Sequence, residues 1–421
     1  MELVRLALGS GHFREKDTAV VLYDLDRLEA NFAALTAAFP ATTRHCFAVK
    51  ACPLPPVLAC LAGLGAGAEA ASLPEVHLAL AAGFPASRIV FDSPAKTVEE
   101  LRYALELGLF LNADNLAELA RIAELAAALG VSPRAGLRIN PQVGLGRIKA
   151  TSVAGRYSKF GVPISQETAV RRAFVRYPWL VGLHVHVGSQ GCPLELLVAG
   201  VGAVFDLAGR IEAELGAGRL AVFDLGGGLP AAYRDGDEPP TPAGYSAVLA
   251  ARCPGLFDGR LALVTEFGRM LVSPCAVAAS RVEYVKRQPG HRTAVIHVGA
   301  DLLVRECYNP KSWSHRIRLL DVRGQEKTGR TGIWHLAGPL CFSGDFPVRQ
   351  ARIAAVEPGD IVVIENVGAY ALSMWSRYNS RQMPRVLGRR WGAWTVLRER
   401  EEPRDLVRFW LGGEGPGLAG A

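Results

Sequence analysis

Residues 44–93, RHCFAVKACPLPPVLACLAGLGAGAEAASLPEVHLALAAGFPASRIVFDS, contain the pattern that decides the fold. Three short apolar runs, at 44–51, 66–72 and 88–93, alternate with longer stretches that have the apolar period of a helix. Further predicted strands follow at 109–114, 134–141, 182–189, 221–228 and 261–267. Eight strand–helix repeats over roughly 240 residues predict a closed, parallel (β/α)8 TIM-type barrel of the α/β class. An open doubly wound sheet is disfavoured because no Gly-x-Gly-x-x-Gly turn follows the first strand.

The pattern changes near residue 271, where helical periods fade and short β-type runs separated by proline and glycine begin. A similar run, TAVVLY at 18–23, precedes the first barrel helix. We therefore predict a barrel over 26–270. Residues 1–25 and 271–421 are predicted to form a second, mostly β, Greek-key-like domain that completes the active site.

Composition and charge exclude several classes of protein. The chain of 421 residues is 50% hydrophobic and 21% charged, a balance typical of globular proteins. Its net charge of +7 comes from scattered arginines, so we expect no nucleic-acid partner. The eight cysteines match no zinc spacing, which predicts no metal site and favours reduced thiols in the cytoplasm. Neither a signal peptide nor an apolar stretch of about 18 residues is evident, so we expect no membrane partner.

Polar residues at the predicted strand ends are the first site candidates, because active sites of such barrels lie at the C-terminal ends of the strands. They are Lys50, Glu69, Ser72, Asp92, Asn112, Arg138, Asn140, His184, His186, Ser189, Gly226, Gly227, Gly228, Glu266 and Arg269. Lys50 lies among apolar residues, which suits either a Schiff-base lysine with a lowered pKa or a salt-bridged lysine. The glycine turn is either a tight β-to-α connection or a cradle for a phosphate. A strand-end lysine with converging phosphate donors indicates pyridoxal 5′-phosphate (PLP).

Eight motifs resemble, in their order, those of the group IV PLP-dependent decarboxylases of the alanine-racemase-like fold. This family contains the diaminopimelate, ornithine and arginine decarboxylases. The motifs are FAVKA at 47–51, SKFGVP at 158–163, HVHVGSQ at 184–190, FDLGGGLP at 223–230, TEFGR at 265–269, GPLCFSGD at 338–345, ENVGAY at 365–370 and YNSR at 378–381. The resemblance covers nearly the whole chain. It implies decarboxylation of an amino acid through an external aldimine and a quinonoid, in a homodimer with shared active sites.

The resemblance also implies residue roles. Lys50 would hold the cofactor, His186 would stack on its ring, and Glu266 would pair with the pyridine nitrogen. The expected phosphate ligands are Ser189, Gly226, Gly227, Gly228, Arg269 and Tyr370, and Glu69 lies at an acidic family position near the lysine. Cys341, supplied by the partner subunit, would be the proton donor. Alternative interpretations are a core histidine at 186, a structural Glu266–Arg269 pair and an ordinary buried thiol at 341.

Among the departures from the family pattern, two bear on the substrate. Phe342 follows Cys341 where the family usually has Asp or Glu, and Asn309 lies near another position that is acidic in the ornithine branch. A buried ammonium without an anionic partner is costly, so we expect a substrate that lacks a free distal amine. Candidate substrate-binding residues are Arg305, Asn309, Lys311, His315, Phe342, Arg377 and Tyr378. This interpretation predicts specialised metabolism, in siderophore or antibiotic assembly.

Three other functions stay open from the sequence. SKFGVP and the GPLC frame favour diaminopimelate decarboxylase of lysine biosynthesis. A racemase or epimerase on the same fold is disfavoured by Glu266, because racemases of this fold place an arginine there. A non-catalytic binding homologue is disfavoured because the chain retains Lys50, Cys341 and the other cofactor residues.

Overall fold

The computed structural model describes residues 1–413, which divide into two compact units. The barrel unit contains Leu28–Ala231 and Glu238–Leu271. The other unit contains Met1–Arg27, Ala232–Asp237 and the described chain from Val272 onward. The sequence did not separate Ala232–Asp237 from the barrel, because these six residues carry no β-type pattern. The predicted domain bounds and the Greek-key-like topology stay predictions.

The elements of the described chain follow in order. The strands are β1 (Ala19–Asp24), β2 (Arg44–Ala48), β3 (Gly67–Ala70), β4 (Ile89–Phe91), β5 (Phe110–Ala113), β6 (Ala135–Asn140), β7 (Val162–Pro163), β8 (Leu180–His184), β9 (Val222–Asp224), β10 (Ala262–Thr265), β11 (Ala276–Gln288), β12 (His291–Ile296), β13 (Ile317–Leu320), β14 (Thr331–Ala337), β15 (Val348–Ala354), β16 (Ile361–Glu365), β17 (Arg385–Arg390) and β18 (Ala393–Arg398). The α-helices are α1 (Glu2–Gly9), α2 (Leu25–Ala37), α3 (Pro55–Gly63), α4 (Leu73–Ala81), α5 (Val98–Glu106), α6 (Leu116–Leu129), α7 (Glu167–Arg176), α8 (Leu194–Leu215), α9 (Pro242–Arg252), α10 (Arg269–Val272), α11 (Val304–Tyr308) and α12 (Pro403–Leu411).

Eight parallel strands close the barrel and confirm the predicted fold class. Their order around the barrel is β2, β3, β4, β5, β6, β8, β9 and β10, and β10 pairs again with β2. The two-residue strand β7 pairs in parallel with the last two residues of β6. The buried side chains of Cys46, Val90, Val222 and Val264 form one cluster of this unit's core.

Barrel helices begin and end at residues with recognisable capping chemistry. Thr97 caps α5 by accepting a hydrogen bond from the Glu100 N–H at 3.2 Å, and the Glu100 carboxylate accepts one from the Thr97 N–H at 2.7 Å. Helix α6 ends at Gly130, which has a left-handed φ of +67°. These stops fix where the chain leaves each helix and returns to the sheet.

Several predicted strands end earlier in the structure than their apolar pattern suggests. The prediction 182–189 corresponds to β8, which ends at His184, and 221–228 corresponds to β9, which ends at Asp224. Val185 and Val187 are buried although they lie outside the strand, so their apolar character extended the predicted pattern. The candidate residues His186 and Gly226 therefore lie in turns beyond the strands.

The other unit is built on a separate, mostly antiparallel sheet. This sheet confirms the prediction that the chain contains a mostly β part besides the barrel. Its strands are ordered β15, β14, β12, β11, β1, β17 and β18, with β16 pairing both β11 and β13. Strand β1 runs antiparallel to β11 and parallel to β17. Helix α1 covers this sheet, where Val4 packs in one cluster with Leu22, Val363 and Leu387. The N-terminal run at 18–23 thus belongs to this sheet.

Candidate active site

Lys50 and Glu69 form an ion pair at the ends of two neighbouring barrel strands. Lys50 lies in the 3-10 turn Val49–Ala51 that follows β2, and its Nζ contacts Oε2 of Glu69 in β3. The Glu69 side chain is fully buried, whereas 38% of the Lys50 side chain is exposed. Burial raises the pKa of the Glu69 carboxyl group, and the positive charge of Lys50 opposes this rise. The amine is therefore paired and still reachable from solvent.

His186 and the glycine turn are joined by a hydrogen bond. The Gly227 N–H donates to Nδ1 of His186 at 3.1 Å, which assigns the ring proton to Nε2 if the ring is neutral. Burial, with the nearby charges of Arg138 and Lys50, holds the pKa of His186 well below its usual range. The imidazole is therefore uncharged and fixed in orientation by the turn.

The glycines of this turn are required by their surroundings. Gly226 has a φ of +63°, and a Cβ there would lie 2.5 Å from the Val185 carbonyl oxygen. A Cβ on Gly227 would collide with the backbone oxygen of Glu266. The Gly226 N–H already donates to Oδ1 of Asp224 at 2.9 Å. The N–H groups of Gly226 and Gly227 are thus committed within the protein, and these glycines act by giving the turn its shape.

Glu266 lies in a buried network of polar groups that the sequence did not assemble. Nε2 of His184 lies 3.5 Å from Oε2 of Glu266, and Nδ1 of the same ring lies 3.8 Å from Oδ1 of Asp92. Burial, then the negative charges of Glu69 and Asp92, raise the pKa of Glu266 well above its usual value. The protein thus encloses a carboxyl group whose ionised form needs positive partners.

The same network contains the guanidinium of Arg138 and a third buried acid, Asp224. Nη1 of Arg138 lies 3.4 Å from Oδ2 of Asp92. Burial raises the pKa of Asp92, but the nearby positive charges, that of Arg138 first, together lower it below its usual value. The Asn112 amide donates to Oδ2 of Asp224 at 2.9 Å. Burial and the charge of Glu266 raise the pKa of Asp224 well above its usual value. Strand-end positions indicated these residues singly, but their pairing requires the barrel's closure.

Arg269 and Ser189 are brought together. The Arg269 guanidinium donates from Nε to Oγ of Ser189 at 3.1 Å, and the Arg269 side chain is buried. Arg269 is the first residue of α10, which begins four positions after β10 ends at Thr265. An arginine and a hydroxyl group therefore lie side by side beyond the strand ends. An arginine beside a hydroxyl group is a suitable pair for a phosphate.

The candidates of the other unit fall into two groups. Tyr370 lies beside Arg305, whose guanidinium carbon is 5.5 Å from the tyrosine ring centroid. Cys341 lies beside Tyr378, whose hydroxyl donates to the Cys341 carbonyl oxygen at 3.0 Å. The structure therefore forms two local pairs in this unit from residues far apart in sequence.

Several predicted substrate ligands have structural partners. His315 contacts Oε1 of the buried Glu306 at 2.9 Å, and Arg377 forms two hydrogen bonds with Glu401, at 2.5 and 2.8 Å. The side chains of Asn309 and Lys311 are exposed beyond the end of α11. The partners of His315 and Arg377 show that these two side chains stabilise the unit itself.

A comparison with known families defines the class of protein. Residues 25–273 match the family model described as pyridoxal-dependent decarboxylase, pyridoxal binding domain. The match covers more than half of the chain, so the protein belongs to this family. It is a PLP-dependent amino-acid decarboxylase, as its motifs predicted.

The chain is similar over most of its length to proteins named diaminopimelate decarboxylase. It is 33% identical to that of Pseudomonas aeruginosa over 368 residues, which cover 86% of each chain. It is 32% identical to that of Helicobacter pylori strain J99 over 409 residues, 95% of this chain and 97% of the relative. The structure of the Helicobacter pylori enzyme complexed with L-lysine superposes with a TM-score of 0.86 at 30% identity, covering 96% and 99% of the two chains. None of the helices among residues 1–413 has the length and apolar character needed to cross a membrane.

The predicted substrate from specialised metabolism is wrong, because relatives of about one-third identity over most of the chain are diaminopimelate decarboxylases. The prediction rested mainly on Phe342. Its ring stacks on Tyr308 with centroids 4.8 Å apart and packs closely over Gly344. Phe342 thus stabilises its own loop, and its presence does not require a different substrate.

Gly227→Ala should weaken PLP binding by at least about tenfold, because the added methyl group displaces the turn that holds His186. The matched control is Gly209→Ala in α8, where a Cβ meets open space. This control should bind PLP normally and gain about 0.5–1 kcal/mol of stability. Equilibrium dialysis of PLP and thermal unfolding measure the two effects. Equal PLP affinity in both variants would contradict the assigned role of the turn.

Proposed function

We propose that this protein is a diaminopimelate decarboxylase of lysine biosynthesis, releasing CO2 and lysine from diaminopimelate. The observation that carries the proposal is the similarity to enzymes of that name over 86–95% of the chain. The retained lysine, buried carboxylates and arginine–serine pair support catalysis rather than a binding function. The same proposal places the enzyme in the cytoplasm, which its eight free thiols support.

The side chains of the barrel fit PLP. Lys50 would form the covalent attachment, and PLP, when bound, accepts the electron pair left by the departing carboxylate. Oε1 of Glu266 is buried and has no hydrogen-bond partner among the described residues. A protonated pyridine nitrogen would satisfy this atom and supply the positive charge that the ionised carboxylate needs. Glu266 thus serves to hold a proton on the ring nitrogen.

The neighbouring residues orient the cofactor. The neutral His186, fixed by Gly227, offers a flat, uncharged ring for stacking against the pyridine. Arg269 and Ser189 would bind the phosphate, with Gly228 allowing a close backbone approach. Glu69 would keep the Lys50 amine in place by charge when the lysine is not covalently bound.

The motifs assign the remaining roles to the other unit. We propose that Tyr370 binds the phosphate and that Cys341 of the partner subunit gives a proton to the carbon that has lost CO2. This assignment requires a homodimer with shared active sites. The exposed position of Cys341 supports the assignment, because a thiol that acts in a neighbouring subunit has to be accessible on the surface of its own chain.

CO2 release from a panel of amino acids tests the function. We expect the PLP-loaded enzyme to prefer diaminopimelate over lysine, ornithine and arginine by more than about 100-fold in kcat/KM. These three amino acids lack the distal carboxylate of diaminopimelate, so they would leave polar groups of the site unpaired. The control is Lys50→Ala on the same panel. Faster release from ornithine or arginine would contradict the proposed substrate. Solvent deuterium entering the α-carbon without CO2 would instead indicate a racemase.

A further inference from the structure

The loop that carries Cys341 is anchored at its base by a buried carboxylate. Asp345 accepts hydrogen bonds from the N–H groups of Ala300 at 2.6 Å and Leu340 at 2.7 Å. Its own carbonyl oxygen accepts one from the Gly338 N–H at 2.9 Å. A Cβ on Gly338 would collide with the Asp345 carboxylate. These contacts close the loop 338–345 without involving Cys341.

The backbone of Cys341 itself is held by two consecutive residues of the YNSR motif. The Cys341 N–H donates to Oδ1 of Asn379 at 2.7 Å. The Cys341 carbonyl oxygen accepts from the Tyr378 hydroxyl at 3.0 Å. Both backbone polar groups of Cys341 are thus fixed, and rotation of the thiol about the Cα–Cβ bond is the main freedom left.

The segment that supplies these two side chains is itself rigidly attached. Arg377 forms a two-point pair with Glu401, which is buried and also accepts a hydrogen bond from the Met383 N–H at 2.8 Å. Asn379 has a left-handed φ of +56°, a conformation that asparagine tolerates better than most residues. The motif therefore presents an amide and a hydroxyl in a fixed orientation.

We propose that Asn379 and Tyr378 are positioning residues for the thiol of Cys341. They form a two-point clamp on its backbone, so that the sulfur occupies one position from which it can give its proton. The inference rests on the proposed function for the chemical role of Cys341. The clamp itself is independent of that role. It also explains why two polar residues of the YNSR motif follow each other directly.

The test uses the thiol as its own probe, because Cys341 is exposed on the single chain and the other seven cysteines are buried. In the proposed homodimer this thiol faces the substrate-free active site, which a small reagent enters. The PLP-loaded enzyme is treated with an aromatic disulfide reagent, and mass spectrometry assigns the label to Cys341. Asn379→Gly keeps the left-handed backbone and removes the amide. Its matched control is Gln350→Gly, an exposed residue with the same φ of +56°. Tyr378→Phe is matched by Tyr284→Phe, since 50% and 63% of the two tyrosines are exposed.

Loss of either hydrogen bond should raise the labelling rate of Cys341 and lower kcat, each by roughly three- to tenfold, the worth of one such bond. For Asn379→Gly, KM should stay within about twofold of the wild-type value, because Asn379 is not among the candidate substrate-binding residues. The clamp is overturned if the labelling rates of Asn379→Gly and Tyr378→Phe equal those of their controls or fall below them. Cys341→Ser with unchanged turnover would refute the proton-donor role, while faster labelling in Asn379→Gly would still support the clamp.

Discussion

Lys50→Arg should abolish covalent attachment of PLP and lower kcat/KM by about 10⁴-fold or more, as removal of a covalent catalytic group does in other enzymes. Arginine keeps the positive charge beside Glu69 but does not form a Schiff base. The substitution therefore separates covalent chemistry from the ion pair. Borohydride reduction followed by mass spectrometry measures the attachment directly.

The matched control for Lys50→Arg is Lys149→Arg, an exposed lysine of the barrel unit. The reduced control should carry one cofactor on the peptide that contains Lys50. Lys50→Ala adds a second measurement, because it leaves the buried Glu69 without its cation and should also destabilise the protein without cofactor. A cofactor adduct that survives in Lys50→Arg would refute Lys50 as the point of attachment.

The sequence predicted the barrel because its information is local. Each strand–helix repeat carries its own apolar pattern and its own stop, such as Gly130 after α6. The ends of the strands were less certain, since buried residues such as Val185 continue an apolar run into a turn. Motif residues such as His186 and Gly226 lie in these turns. The sequence therefore predicted which strand each of them follows, but placed them inside the strand rather than beyond its end.

The contacts of the site could not be read from the sequence, because they join residues of separate strands. Asp92, His184 and Glu266 follow or end β4, β8 and β10, and they meet only when the barrel is closed. The hydrogen bond between Cys341 and Asn379 spans 38 positions of the chain. Periodicity and spacing hold no information on such pairs.

Phe342 shows how a single departure from a motif misleads. The prediction compared one side chain with the family pattern and inferred that the carboxylate that binds a distal ammonium of the substrate is missing. The structure adds Tyr308 and Gly344, which form a packing site for the aromatic ring. A residue that stabilises its loop can replace a polar one without a change in the reaction class.

Glu266→Gln should lower kcat by about 10²–10³-fold with little change in KM, the usual loss when one electrostatic partner of a transition state is removed. The neutral amide has nearly the shape of the carboxylate but does not hold a proton on the pyridine nitrogen, so the ring accepts electrons less readily. The ¹⁵N resonance of isotopically labelled PLP reports this proton independently of turnover. We expect it to move from the protonated toward the unprotonated range.

Glu266→Gln, which should impair catalysis, should stabilise the protein without cofactor. Burial raises the pKa of Glu266 in the folded state above the ordinary value of 4.5, so the folded protein binds the proton more tightly than the unfolded chain does. This carboxyl group therefore costs stability as the pH rises above about 4.5. Glu266→Gln should remove that loss and raise the melting temperature of the cofactor-free protein at pH 7, while Glu124→Gln, at an exposed position inside α6, should leave it nearly unchanged. A lower melting temperature together with an unchanged ¹⁵N resonance would mean that Glu266 serves the fold and not the cofactor.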